Sequence, residues 1–535
     1  MLRTTPLSLT QSASTPLQVP SAPALVPENA PALVDEFDDP NRACALRHVL
    51  SLRQKAQSGQ DIKRSDLLTH TQQVSGTSAD LFLDRSYYTE GLLPAIRDAQ
   101  DSIHIAISEF YGVFGDYLGN LLIQKKRENP NLAIRIIADS QMSHALFPWS
   151  EGTKRLGRLK DNGIEVELNP YFTSGKQMEH RKLFIIDGTT AFFGGAPVAD
   201  QYFGSDPFWD HYQEIGGKLG AAAAQAIVFS PDDATRALHA FPADIPTSHD
   251  FSIRYQGDGV HHLQASFLQS WLFQGGTIDN ACSDKAIVER YFPVAKTPAQ
   301  VARAAKFTHV VPEGPSEMIH NLLDIIDGAQ QTLDMELAYI FEPEIMDALC
   351  RAAERGVDVR VITNGYESVD WKPTYWVYRG HYERLLKAGV HLFELKQYSH
   401  VKLIVADKQV VFASTGNAEW GSVSTYWDEN VFIDSAALAD DVQKRVIERD
   451  IEDDRAKEVT PENLKPLNTL QKFLVWILSW LIPLVMRGAI KETPRRHDVI
   501  FEAPRTLPTI AGTSKPFLQP PVAALPSLPG PAQDL

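Results

Sequence analysis

The sequence predicts an α/β protein in which one layered fold is made twice. Three observations carry this. Short β-rich runs alternate with helical patterns through the middle of the 535-residue chain. The same order of runs returns in the second half. Each copy closes on the same polar signature.

In the first half, GLLPAIRDAQDSIHIAISEFY (91–111) reads as helix then strand, LAIRIIADS (132–140) as a buried strand, and TKRLGRLKDNGIEVEL (153–168) as helix then strand. In the second half NLLDIIDGAQQTLDMELAYIF (321–341), GVDVRVITNG (356–365) and HYERLLKAGVHLFEL (381–395) repeat that order. Gly163 and Gly389 stand where a helix must end and a strand begin, which predicts a left-handed cap at both. The period is far longer than the 20–50 residues of a stacked array, so a solenoid is excluded.

The shared signature is His180, Lys182 and Asp187 in HRKLFIID, then His400, Lys402 and Asp407 in HVKLIVAD, at identical spacing. One such match is weak evidence; two at equivalent positions of a repeat are strong. Residues two apart on a strand share a face, so each copy presents an imidazole beside an ammonium. Displacement at a phosphodiester needs a nucleophile and an acid for the leaving alcohol, and two histidines on opposite sides of one phosphorus supply both. An ordinary imidazole pKa near 6.5 allows one ring to be neutral and the other charged. Lys182 and Lys402 would stabilise the non-bridging oxygens. No cofactor or metal is expected, because the second polar residue of each motif is a lysine, a non-ligand near neutral pH.

Histidines in such roles need the far ring nitrogen held by a carboxylate. Asp210 in FWDHYQEIGG and Glu429 in YWDENVFID follow their histidines by 30 residues (180 to 210) and 29 residues (400 to 429), both in a Trp-Asp context. They are the expected partners, with the lobe that each serves left open.

Bulk properties narrow the function further. A net charge of −16 argues against a generic nucleic-acid binder. Cys44, Cys282 and Cys350 are few and far apart, which predicts plain thiols in a reducing compartment. The first residues lack the apolar run of a secretory signal, so export by the usual route is not expected.

These residues resemble the phospholipase D superfamily, and within it the bacterial cardiolipin synthase branch. HRKLFIIDGTTAFFGG, LAYIFEPEIMDALCRAAERGVDVRVIT and LKAGVHLFELKQYSHVKLIVAD carry the likeness, which runs from about residue 80 to 490. The resemblance implies two phospholipase D-like lobes, each a mixed sheet flanked by helices, packed around one shared active site. It also implies a two-step mechanism: one histidine forms a phosphatidyl-enzyme intermediate, and an alcohol or water resolves it. It assigns the nucleophile to His180 and the acid/base role to His400, an assignment that the symmetry of the two motifs leaves open. The family's Gly-Ser-x-Asn element corresponds to Ser414, Thr415, Gly416 and Asn417, which makes Thr415 and Asn417, with the two lysines, the expected phosphate binders. The first copy departs from it, with Gly194, Gly195, Ala196 and Pro197 in that place.

Residues 473–486, FLVWILSWLIPLVM, would span only about 21 Å as a helix, short of a ~30 Å hydrocarbon core. Trp476 and Trp480, flanked by Lys472, Arg487, Lys491, Arg495 and Arg496, suit an interfacial segment on anionic headgroups. Phe147 and Trp149, and Trp371, Tyr375, Trp376 and Tyr378, could guide an amphiphile to the site. The expected organisation is a mostly disordered Pro/Ser-rich region (1–75), a first lobe (76–245), a connecting helical segment (246–310), a second lobe (311–450), an apolar membrane-proximal helical segment (451–490) and a Pro-rich tail (491–535). The expected function is a phosphatidyltransferase of the cardiolipin synthase kind. A hydrolytic phospholipase D and a catalytically silent membrane-binding protein are the alternatives. The partners would be a phospholipid and a membrane surface, reached peripherally from the cytoplasmic side of a bacterial inner membrane. Both histidines are in one chain, so a monomer would suffice.

Overall fold

Two sheets share one strand order. The computed structural model describes residues 40–488, apart from 64–65, 68–71, 75–76, 140–151, 170–177, 204–231, 233–247, 258, 295–306, 312–314, 425 and 453–454. The first sheet runs Thr77–Leu83, Phe251–Gly257, Thr190–Gly194, Lys182–Ile186, Ser102–Ile107, Ala133–Asp139, Glu165–Asn169. The second contains the same series as Phe307–Val311, Asn430–Asp434, Val410–Ser414, Lys402–Ala406, Thr332–Leu337, Asp358–Asn364, His391–Leu395, with Gln72–Val74 and Ala456–Val459 added at its two edges. Both are mixed. In each, the strand that follows the motif histidine is antiparallel to its neighbours, and the parallel strands lie beyond it.

The parallel strands are connected by helices. Gly112–Glu128 and Pro343–Glu354 each join the first parallel strand of a lobe to the second, as a parallel connection requires. Gly163 and Gly389 do adopt φ of 79° and 96°, and each donates its amide back into the preceding helix.

The sheets pack through a shared apolar layer. Along Lys182–Ile186, Leu183 and Ile185 enter a central cluster, while Phe184 and Ile186 enter a cluster under the first lobe's helices. Lys402–Ala406 divides in the same way: Leu403 and Val405 join that same central cluster, and Ile404 and Ala406 pack under the second lobe's helices. Strands buried on both faces read as continuous apolar runs, which is why both motifs carry one after the lysine.

Two expected boundaries need correction. Within the region expected to be mostly disordered, Pro40–Gln57 is a helix and Gln72–Val74 a strand. The helix buries Leu46, Val49, Leu50 and Leu52 in the central cluster. Arg53 fixes it by donating to the carbonyls of Ile278, Asp279 and Cys282 and to the Asp284 carboxylate. The supposed connecting segment opens with the strand Phe251–Gly257, hydrogen-bonded on both sides within the first sheet. Its alternate residues Phe251, Ile253 and Tyr255 are fully buried, so it belongs to the first lobe's core.

Candidate active site

Each motif histidine sits where its own lobe meets the other. The pair Met178–Glu179 runs parallel to Tyr426–Trp427 of the second lobe, and His180 donates its amide to the Trp427 carbonyl at 3.0 Å. On the opposite side His249 of the first lobe bridges Ser399, and His400 donates its amide to the His249 carbonyl at 2.7 Å. The residue after each accepting carbonyl is an aspartate. Asp428 Oδ1 lies 2.8 Å from His180 Nδ1, and Asp250 Oδ2 lies 2.9 Å from His400 Nδ1. Each imidazole is therefore held by a carboxylate from the opposite lobe.

The lysines close the arrangement. Lys182 Nζ donates to the His180 carbonyl and Lys402 Nζ to that of His400, both at 2.7 Å, and both side chains are buried. Tyr426 packs against the His180 ring at 5.0 Å between centroids, and Tyr202 against the His400 ring at 5.4 Å. With Nδ1 committed to a carboxylate, Nε2 is the reactive nitrogen of each ring.

Burial decides the charges. It is the first cause that lowers the His180 pKa, to about 4, with Lys182 adding to it against the pull of Asp428. His400 is pushed well below the ordinary imidazole value by burial, both lysines and His180, so the two rings lie within electrostatic reach of one another. Burial also lowers Lys182, and it brings Lys402 to about 7 against the opposing charge of Asp250. The two carboxylates differ. Burial raises Asp250 to about 7. At Asp428 burial is outweighed by His180, Lys182 and the Thr415 hydroxyl, and its pKa is lowered.

The departure noted in the first motif copy adds to that difference, after the larger contributions of His180 and Lys182 at Asp428. Thr415 Oγ donates to Asp428 at 2.8 Å. At the equivalent place stands Gly195, where a Cβ would come within 2.0 Å of Asp250 Oδ1. Any side chain there would displace the carboxylate, so glycine is needed and a hydroxyl is lost.

The structure brings together His180, Lys182, His400 and Lys402, and it moves the other expected residues. Glu429 is not the carboxylate on Nδ1 of either motif histidine: one of its oxygens accepts from Ser266 Oγ at 2.9 Å. The neighbouring Asp428 takes the role expected of it. Asp210 lies outside the described residues, and Asp250 is the carboxylate found on the second ring. Asp187 and Asp407 stand at the far end of their strands, roughly 20 Å from the histidines at the strand rise. There Asp187 accepts the amides of Gln100, Asp101 and Ser102, and Asp407 those of Gln330, Gln331 and Thr332. Both adopt positive φ. Their contacts tie one strand end to the next strand's start. Thr415 spends its hydrogen on Asp428, and Asn417 is buried with its amide N–H given to Ser422 Oγ. Glu109 was missed by the sequence reading. It lies two residues beyond the strand Ser102–Ile107, near both lysines, its pKa raised by burial.

Residues 92–208 and 322–450 each match the family model described as "Cardiolipin synthase, PLD-like domain". The chain belongs to the phospholipase D superfamily, with its characteristic domain present twice, and is an enzyme of that type. Among its relatives are a cardiolipin synthase of Clostridium perfringens, 25% identical over 71% of this chain and 71% of its own, and the major cardiolipin synthase of Bacillus subtilis, 26% identical over 69% and 68%. The crystal structure of phosphatidylserine synthase from Haemophilus influenzae shares the fold, with a TM-score of 0.54 over 82% of this chain and 98% of that one at 14% identity.

Two outcomes are expected. Asp428→Asn and Asp250→Asn should each lower kcat by roughly 10²–10⁴-fold, the range for tautomer-holding carboxylates, while Glu429→Gln costs less; steady-state kinetics would reverse the account if Glu429→Gln were the most damaging. The Lys402 ammonium is charged only below its pKa of about 7. The ratio kcat/KM, which reports the free enzyme, should therefore fall as pH rises through that value, and a flat profile to pH 9 would contradict the role of Lys402.

Proposed function

We propose that this protein is a phosphatidyltransferase that moves a phosphatidyl group from one glycerophospholipid to an alcohol, as a cardiolipin synthase does. The observation that carries the reading is the pair of imidazoles, each held by the opposite lobe's carboxylate, with two buried lysines beside them. His180 attacks the phosphorus through Nε2, because Asp428 stays ionised and supports the positive charge that the ring acquires. Asp250, raised by burial to about 7, keeps a proton at the His400 Nδ1 side, so that His400 can carry its own hydrogen on Nε2; it donates that proton to the leaving alcohol as the bond from phosphorus to that oxygen breaks. An acceptor alcohol then gives its proton to His400 and takes the phosphatidyl group from His180. Lys182 and Lys402 neutralise the non-bridging oxygens throughout. Water in place of the alcohol yields phosphatidic acid from the same residues.

A lipid surface as the place of work is supported by the C-terminal helix Thr469–Gly488. It exposes Leu470 (74%), Phe473 (54%) and Trp476 (66%), large apolar groups that a water-facing helix rarely presents together. The helix packs on Lys372–Arg379, where Val475 lies close over Gly380, and half-exposed Trp371 begins that helix. Lys472 is exposed beside Phe473. Side chains of Trp480 and Arg487, and residues Phe147, Trp149, Lys491, Arg495 and Arg496, lie outside the described set. Among the described residues no helix is long and apolar enough to cross a membrane. The family relation supports a bacterial membrane, here on its cytoplasmic side.

Mass spectrometry of lipids tests the reading, after incubation of the protein with phosphatidylglycerol liposomes with and without phosphatidylethanolamine. Cardiolipin that is absent with the His180→Ala protein is the expected product. Phosphatidic acid alone would make the protein a hydrolase, and no change in any lipid would reject lipid transfer.

A further inference from the structure

A third buried histidine lies among carboxylates behind the His400 half of the site. His249 Nδ1 is 2.7 Å from Asp84 Oδ1, which also accepts the Asp250 amide at 2.9 Å, so the ring is fixed with Nε2 facing the second lobe. There Nε2 lies 2.9 Å from Asp450 Oδ2, and Glu336 Oε2 joins them, all three atoms within 4.8 Å of one another. The residues are 9%, 3% and 0% exposed. The three atoms face one another, His249 Nε2 and Asp450 Oδ2 at ion-pair distance, and none has an aligned hydrogen bond to a group outside the trio. Their companion atoms are engaged: Ser399 Oγ donates to Glu336 Oε1 at 2.6 Å, and Arg449 and Arg455 lie 3.9 Å from Asp450 Oδ1. Burial and the neighbouring Asp450 raise Glu336 to about 8, and against burial Asp84 and Asp450 hold His249 well above the ordinary imidazole value, so without a metal the cluster keeps its protons, which a bound cation would displace.

We propose that His249 Nε2, Glu336 Oε2 and Asp450 Oδ2 bind a divalent transition-metal ion of the zinc class. One imidazole and two carboxylates form a donor set that zinc accepts, with water able to complete four-coordination. Ligand atoms around a tetrahedral ion stand about 3.4 Å apart at the usual bond lengths, between the 2.9 Å from Nε2 to Asp450 Oδ2 and the 4.8 Å within which all three atoms lie. The carboxylate on the far ring nitrogen, Asp84, is the partner that metal-bound histidines commonly have.

The repeat supplies an independent argument. The residue before His180 is Glu179, a buried acid whose cation is built in: Arg181 reaches it through Nε at 2.8 Å and Nη2 at 2.5 Å. Position 401, equivalent to 181, is Val, and Ser399 hands its hydrogen to Glu336 instead. A bound ion would supply in the second lobe what Arg181 supplies in the first. It would join the start of the strand Phe251–Gly257, the strand Thr332–Leu337 and the helix Glu448–Ile451. The His249 carbonyl carries the His400 amide and Asp250 carries its ring, so the ion positions His400 without touching substrate.

The test uses full-length protein purified without chelators or a metal-affinity tag. Elemental analysis should find one zinc per chain, and protein stripped with dipicolinate should take up one Co(II) with the absorption of a low-symmetry four-coordinate site. Stripping should lower the melting temperature, and Zn(II) should restore it. Glu336→Gln, an uncharged isostere, and Asp84→Asn should each weaken metal affinity at least tenfold, in line with the loss of a ligand or of its supporting carboxylate. If wild-type protein, stripped and reloaded, binds no stoichiometric metal, the cluster holds protons only and the proposal fails. Equal binding by wild type and both variants would place the metal elsewhere and also overturn it. The wild-type measurement decides the matter even if a variant does not fold.

Discussion

Everything in the catalytic cleft depends on an exchange of hydrogen bonds between the lobes. His180 gives its amide to Trp427 and its ring to Asp428; His400 gives its amide to His249 and its ring to Asp250. Two lysines and two aspartates are buried with the rings. Such a concentration of ions is tolerable only when each has a partner, because removing one partner leaves a buried charge uncompensated, at about 3–5 kcal/mol. Here every ring's partner comes from across the seam, so neither lobe alone could keep its half intact. The apolar layer beneath, with Leu183 and Ile185 in one cluster with Leu403 and Val405, holds the two sheets together while the polar exchange sets their register.

The duplication is symmetric in backbone and unequal in chemistry. Gly195 and Thr415 occupy the same place, and both donate an amide to a matching carbonyl, of Phe251 and Glu429. Only Thr415 adds a hydroxyl to its aspartate. In the proposed mechanism the ionised Asp428 favours His180 as nucleophile, and the raised Asp250 leaves His400 to pass a proton back and forth. A departure from the family pattern that looked like a loss in the first copy is then one source of the proposed division of labour.

How much of this was legible in the sequence varied with its range along the chain. The repeat, the mixed lobes and the four His and Lys side chains were legible because identical spacing on a strand fixes a common face. The carboxylates were not. Asp428 follows His400 by 28 residues but Asp250 follows His180 by 70, so the equal spacing that singled out Asp210 was misleading. Each aspartate also serves the other lobe, a pairing that no local pattern encodes. The Trp-Asp context did point to the correct turn, one residue short of Glu429. Asp187 and Asp407 share the motif with the histidines for a different reason, since their carboxylates collect three backbone amides at the start of the neighbouring strand. The helix Pro40–Gln57 was hidden because its buried residues include Ala43 and Ala45 and its apolar stripe is weak.

The most direct measurement of the central claim is to quench the reaction during turnover, digest the protein and locate the phosphoryl adduct by peptide mass spectrometry. The account predicts the adduct on His180, lost in the Asp428→Asn protein. An adduct on His400 would contradict the division of labour between the two pairs, and attachment to a residue outside them would contradict the shared site itself.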